Sequence, residues 1–226
     1  MRLRNPPRTR VARGVTRVLL ALTFGLIPWA GPASASCTSA EMCIPPVSGC
    51  AYTGTCDVMY PPGVEIRNLT LYDFTSCIIV MPGQTQSAWL ECKMDVELSM
   101  DAGSTWNSYP AIPTTCHMMF SWTGTGGQGE DLYLGTINAL SASGGSLPAF
   151  LGFRESPVQN SSGPASVRAG TDDYQIDSFF DVFTELTLDG GMTWYPGLSA
   201  CRIVLNPTGP TPSRNPTWGS LKVLYR

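Results

Sequence analysis

The sequence predicts an all-β protein: an antiparallel β-sandwich with a disulfide-rich N-terminal segment, with a small β-propeller or a barrel as the alternative arrangements. Three observations lead there. Apolar runs of period two recur between clusters of Gly, Pro, Ser and Asn. No helical period persists beyond about two turns. Eight cysteines, an even number, follow an export-like N-terminus.

Residues 1–35 read as a signal peptide. Arg2, Arg4, Arg8, Arg10, Arg13 and Arg17 precede or open the apolar run 18–30, and Ala33-Ser34-Ala35 offers small residues for cleavage after Ala35. The run is shorter than the roughly 20 residues a spanning helix needs. Cleavage would leave 8 basic against 17 acidic side chains, a formal charge of −9. Such a surface repels phosphate backbones and anionic headgroups, so neither nucleic acid nor membrane is an expected partner. The expected location is secreted, with the periplasm or cell surface as alternatives.

Residues 36–63 read as a Cys-rich loop segment, with Cys37, Cys43, Cys50 and Cys56 set among Pro45-Pro46 and Pro61-Pro62. With little apolar surface to bury, it would rely on cross-links for order. Cys77, Cys92, Cys116 and Cys201 fall among the strand-like runs. In an exported chain these eight are expected to form four disulfides, and proximity favours pairing of the first four among themselves. Zinc is not expected, because the spacings are long and His117 is the single histidine.

Residues 64–226 are expected to form the sandwich, with strands near 64–71, 77–81, 93–100, 115–122, 131–138, 175–188, 201–205 and 221–225. In the clearest of them Met94, Val96, Leu98 and Met100 alternate with Lys93, Asp95, Glu97 and Ser99, which assigns one set to the core and the other to water. Val182, Leu186 and Leu188 alternate in the same way with Asp181, Glu185 and Thr187.

These two runs open copies of one unit, in modules spanning about 92–120 and 179–205. Glu97-Leu98-Ser99-Met100-Asp101-Ala102-Gly103-Ser104-Thr105-Trp106 matches Glu185-Leu186-Thr187-Leu188-Asp189-Gly190-Gly191-Met192-Thr193-Trp194. Each continues through a Tyr-Pro pair, Tyr109-Pro110 or Tyr195-Pro196, to a cysteine, Cys116 or Cys201. The unit reads as a hairpin: Asp101 or Asp189 accepts backbone hydrogen bonds in its own turn, and Gly103 or Gly191 takes a positive φ. The hydroxyls brace the loop and Trp106 or Trp194 lies back over the apolar face.

The (S/T)-x-D-x-G-x-T-W string resembles the Asp-box of sialidases and other secreted β-proteins, which implies a structural hairpin away from any catalytic centre. Gly152-Phe153-Arg154-Glu155-Ser156-Pro157, the 177–183 stretch and the second box together are similar to a module of exported bacterial proteins, many with PEP-CTERM-type sorting signals. That resemblance implies an exported class without naming an activity. The final residues 222–226 look like a strand rather than an apolar anchor, so release is expected.

Glu97 and Glu185 hold equivalent places in the two modules and are the candidate catalytic pair, since a glycosidase requires two carboxylates roughly 5–9.5 Å apart. Lying on the polar face of alternating strands, they also read as solvated. His117 corresponds to Arg202 in the second module, which fits a plain strand residue. Gly124-Thr125-Gly126-Gly127-Gln128-Gly129 matches a dinucleotide fingerprint in letters but opens no helix and reads as a loop. No cofactor is expected; Asp172-Asp173 and the box aspartates are the only suggestion of Ca²⁺. Tyr109, Trp122, Tyr174, Tyr195 and Trp218 fall in or beside loops, where rings can stack on sugars; core packing is the other reading. Asn68-Leu69-Thr70 and Asn160-Ser161-Ser162 match the N-glycosylation pattern. The expected function is that of a secreted non-enzymatic structural or interaction protein. A carbohydrate- or polymer-binding module comes second and a glycoside hydrolase third. Extracellular polysaccharide or surface proteins are the expected partners.

Overall fold

A computed structural model describes residues 36–61 and 63–208. The expected signal peptide, Trp218 and the strand near 221–225 lie outside them. The described residues are all β, in fifteen strands: β1 (Cys37–Ser39), β2 (Cys43–Ile44), β3 (Cys50–Gly54), β4 (Val58–Tyr60), β5 (Val64–Tyr72), β6 (Ile78–Ile79), β7 (Thr85–Ser99), β8 (Asn107–Thr125), β9 (Asp131–Ser143), β10 (Gly152–Glu155), β11 (Ser161–Ala169), β12 (Tyr174–Val182), β13 (Thr184–Thr187), β14 (Tyr195–Pro196) and β15 (Cys201–Pro207).

The antiparallel ladders follow the barrel alternative rather than the sandwich. Pairing runs β3-β5-β7-β8-β9-β11-β12-β15 and returns from β15 to β3, so eight strands close a ring. Irregular register in β5 between Arg67 and Thr70, in β7 between Met94 and Val96, and in β8 at two places bends the long strands around the axis. An eight-stranded barrel is just wide enough for side chains to fill, and here they do. Tyr52, Phe120 and Phe180 are fully buried and meet edge to face, with ring centroids 5.4 and 6.0 Å apart. Gly135 is what lets the phenyl rings cross, since a Cβ there would stand 2.8 Å from both Phe120 and Phe180.

The strand β9 forks. Its first half pairs with β11 in the ring, while Ser141–Ser143 pair with β10, which carries β13 and then β14 outward as a flap on the barrel wall. The loop segment expected at 36–63 is not separate: Cys50–Gly54 is a stave of the barrel, β1 adds to β12, β2 pairs with β6, and β4 pairs with β5. Tyr52 and Tyr60 supply the large buried surfaces that the loop reading missed.

Disulfides join Cys37 to Cys50, Cys43 to Cys77 and Cys56 to Cys201. Two of the three therefore staple the early segment to the later chain, because folding sets β2 beside β6 and β3 beside β15. Cys92 and Cys116 are buried thiols, which corrects the expectation of four bridges. They sit on the inward face, where the contact with Cys116 and burial together push the Cys92 thiol upward. Three disulfides mark an oxidising environment. No helix among the described residues is long and apolar enough to cross a membrane.

Candidate functional site

The two Asp-turn-Trp hairpins make the same hydrogen bonds. Ser99 Oγ donates to Asp101 Oδ1 at 2.7 Å, and Gly103 N donates to Ser99 Oγ at 2.8 Å; Thr187, Asp189 and Gly191 repeat the pattern at 2.8 Å in both bonds. Thr105 N and Thr193 N each reach the box carboxylate at 2.8 Å, and each indole N–H donates to the glycine carbonyl at 3.1 Å. Gly103 and Gly191 have φ of 81° and 97°. The backbone N–H groups first, and the hydroxyls after them, hold both aspartates near pKa 2. These carboxylates serve their own turns.

The tryptophans do not lie over the apolar face. Each packs under an arginine of the neighbouring strand: Arg67 stands 4.1 Å over the Trp106 ring and Arg154 stands 4.3 Å over Trp194. Those guanidiniums also engage the candidate catalytic carboxylates, because cross-strand register sets Arg67 opposite Glu97 and Arg154 opposite Glu185. Arg67 Nε donates to Glu97 Oε2 at 2.6 Å, and Arg154 donates to Glu185 Oε2 at 2.8 and 2.5 Å. The Arg67 hydrogen bond holds the Glu97 carboxyl below its usual range. The Glu185 side chain, expected in water, is only 9% exposed. In hydrogen-bonded order β8, β9 and β10 separate the strands carrying the two glutamates, on the order of 19 Å of sheet. Met100, expected inward, is 49% exposed, because the strand ends at Ser99 and turns that hydroxyl inward to bond the loop.

Four of the aromatics considered for binding are part-buried against the core: Tyr109, Trp122, Tyr174 and Tyr195. Trp122 is further tied by its indole N–H to Asp131 Oδ1 at 3.2 Å. Gly124 to Gly129 close the turn between β8 and β9, two strands with no helix, so no phosphate cradle forms there. Among the described residues no cluster of three or more His, Cys, Asp or Glu is placed to hold a metal ion. Glu155, in the flap, keeps Oε2 buried without a partner while Oε1 accepts Ser161 N at 3.2 Å, and burial pushes its carboxyl up to about 7.

The outward face of β7, β8 and β9 carries a different set. In β7 the even residues Leu90, Cys92 and Met94 point inward, which turns Thr85, Ser87, Trp89 and Glu91 outward. Trp89 is 66% exposed and stacks on His117, its partner in register on β8, with centroids 5.0 Å apart and 28° between planes. Two residues further along the same face, Glu91 pairs with Thr115, and Thr115 with Ser141 of β9. These three residues, with Lys93, Asp73 and Ser143, line a groove of about 540 Å³. Lys93 Nζ bonds Asp73 Oδ2 at 2.8 Å across it. Sequence reading overlooked Trp89 because the expected strand began at 93. The available signal was one large aromatic on the polar register of the alternating stretch 85–92.

Compared with known proteins, the chain matches no family model, no curated protein and no solved structure. What fold and geometry define is a side-chain-filled antiparallel barrel with an aromatic pair, and a groove of mixed polar and apolar lining, on its outer wall.

Proposed function

We propose that this chain is an exported, non-enzymatic interaction protein that offers the outer face of β7, β8 and β9 to a partner outside the cytoplasm. The observation that carries the reading is Trp89. What sets it apart from the other exposed apolar side chains is the cross-strand stacking on His117, which fixes a large indole in the open. The packed interior supports the same reading, because Tyr52, Phe120 and Phe180 leave the partner only the outside of the barrel. So does the engagement of Glu97 and Glu185 by arginines, which commits to structure the pair that a hydrolase would need free.

The test adds labelled protein, from Ser36 onward, back to the exterior of producing cells. Saturable retention is expected, at least tenfold weaker for Trp89→Ala and unchanged for Glu97→Gln. Equal retention of wild type and Trp89→Ala, or polymer cleavage abolished by Glu97→Gln and Glu185→Gln, would overturn the proposal.

A further inference from the structure

We infer that the ligand of this face is a neutral polysaccharide, one sugar ring stacking on Trp89 and the chain continuing into the groove beside it; the inference rests on the reading of β7–β9 as the binding face. Three features of that face select this chemistry.

The first is the indole. Its π-face is electron-rich and apolar, which suits the weakly positive C–H face of a pyranose ring. One side of the ring is taken by His117, and the 66% exposure leaves the rest of the residue to solvent. A platform on paired strands is fixed before the ligand arrives, so little ordering cost falls on binding.

The second is the groove. Besides Ala111 and Pro113, its exposed lining carries hydroxyl-bearing or charged side chains: Glu91, Thr115, Ser141 and Ser143. Carboxylates accept from sugar hydroxyls, while Ser and Thr hydroxyls both donate and accept. Glu91 lies two residues from Trp89 on the same strand face, a spacing of about 7 Å. A polyol lying along β7 thus meets the ring and then the polar groups in succession.

The third is charge. The Lys93 cation is taken up by Asp73, and Glu91 has no ion-pair partner among the described residues. The groove is left net acidic on a chain whose formal charge is already −3. Uronate or sulfated polymers would meet repulsion there, and a neutral chain would not. A peptide strand is poorly served as well, since its main chain needs an open sheet edge, whereas β8 is paired on both sides.

The experiment is affinity electrophoresis of the chain from Ser36 onward through gels containing a soluble neutral glucan, a soluble neutral mannan or polygalacturonate, at low and high salt. Retardation is expected in at least one neutral gel, little changed by salt, with none in polygalacturonate. Trp89→Ala should weaken retardation at least tenfold and His117→Ala by less. Because Trp89 is exposed, its loss should leave the melting temperature within a degree or two of wild type. Tyr195→Phe should behave as wild type. Absence of retardation in both neutral gels overturns the inference, as does binding confined to polygalacturonate and lost with salt. Full retardation of Trp89→Ala overturns the site. If neither neutral gel retards the protein while Trp89→Ala still loses retention on cells, the sugar chemistry falls and the binding face stands.

Discussion

The two hairpins share the hydrogen bonds of their Ser/Thr hydroxyl, box carboxylate and indole, yet they are held by different surroundings. The first joins β7 and β8, the 15- and 19-residue strands at the heart of the barrel wall; the second joins β13 and β14, four and two residues long, on the flap. Cys116 succeeds the first as a buried thiol within a continuous strand, whereas Cys201 succeeds the second and is bridged to Cys56 at the start of a new one. Where long ladders supply cohesion, the cysteine is left as a small core residue; where the paired strands are short, a covalent link ties the next strand, β15, to the barrel. The same local chemistry therefore carries different energetic weight, and substitutions in the two modules can measure that difference.

The largest effect is expected at the cysteines. Replacing Cys56 and Cys201 by serine opens a bridge of sequence separation 145 and should cost about 4 kcal/mol in urea unfolding. Cys116→Ala in the other module should cost about 1 kcal/mol. Equal losses would show that the two sites bear equal load. Alkylation of the unreduced, denatured protein should modify two thiols, on Cys92 and Cys116.

Next come the arginines. Arg154→Met leaves a Glu185 side chain that is 9% exposed without its cation, and it should cost about 2 kcal/mol, moderated by the 40% exposure of the arginine itself. Arg67→Met should lower the melting temperature less, because Glu97 is 30% exposed and can recover water. A larger drop for Arg67 would reverse the ranking of the two hairpins.

A smaller effect separates the turns. Ala102 sits at φ 53° where the second hairpin has Gly190 at φ 73°. Ala102→Gly should therefore stabilise by up to about 1 kcal/mol, and Gly190→Ala should destabilise by a similar amount, both read as shifts in the urea midpoint.

The last test looks for a shared property. Asp101 and Asp189 are both held near pKa 2, below their ordinary 3.8. A lowered carboxyl contributes stability that is complete above about pH 4 and is lost as pH falls through 2. Asp101→Asn and Asp189→Asn should each flatten the fall in melting temperature between pH 4 and pH 2, and by similar amounts. Unequal flattening would mean that the surroundings reach into the loop as well.

Much of this was legible in the sequence because it is local. Alternation at Met94, Val96 and Leu98 is read from neighbours two residues apart, and the hairpin bonds span at most four residues, so Asp101, Gly103, Asp189 and Gly191 could be given their roles without a fold. The arginines could not be placed, because the partner of Glu97 is 30 residues away and that of Glu185 is 31, and both are set by strand register. Trp89 was hidden for a related reason: its exposure depends on which neighbour β7 pairs with and on where the ladder begins.

The sequence by itself determined that the chain is β, where its turns are tight, and that its cysteines belong to an oxidising compartment, since these come from period, turn chemistry and count. Only the tertiary structure decided that the sheet closes into a filled barrel, that three bridges form rather than four, and that Glu97 and Glu185 each pair with an arginine while Trp89 stands open. Each of those depends on contacts between residues far apart in the chain, and chain closure, register and burial have no signature in a short window of sequence.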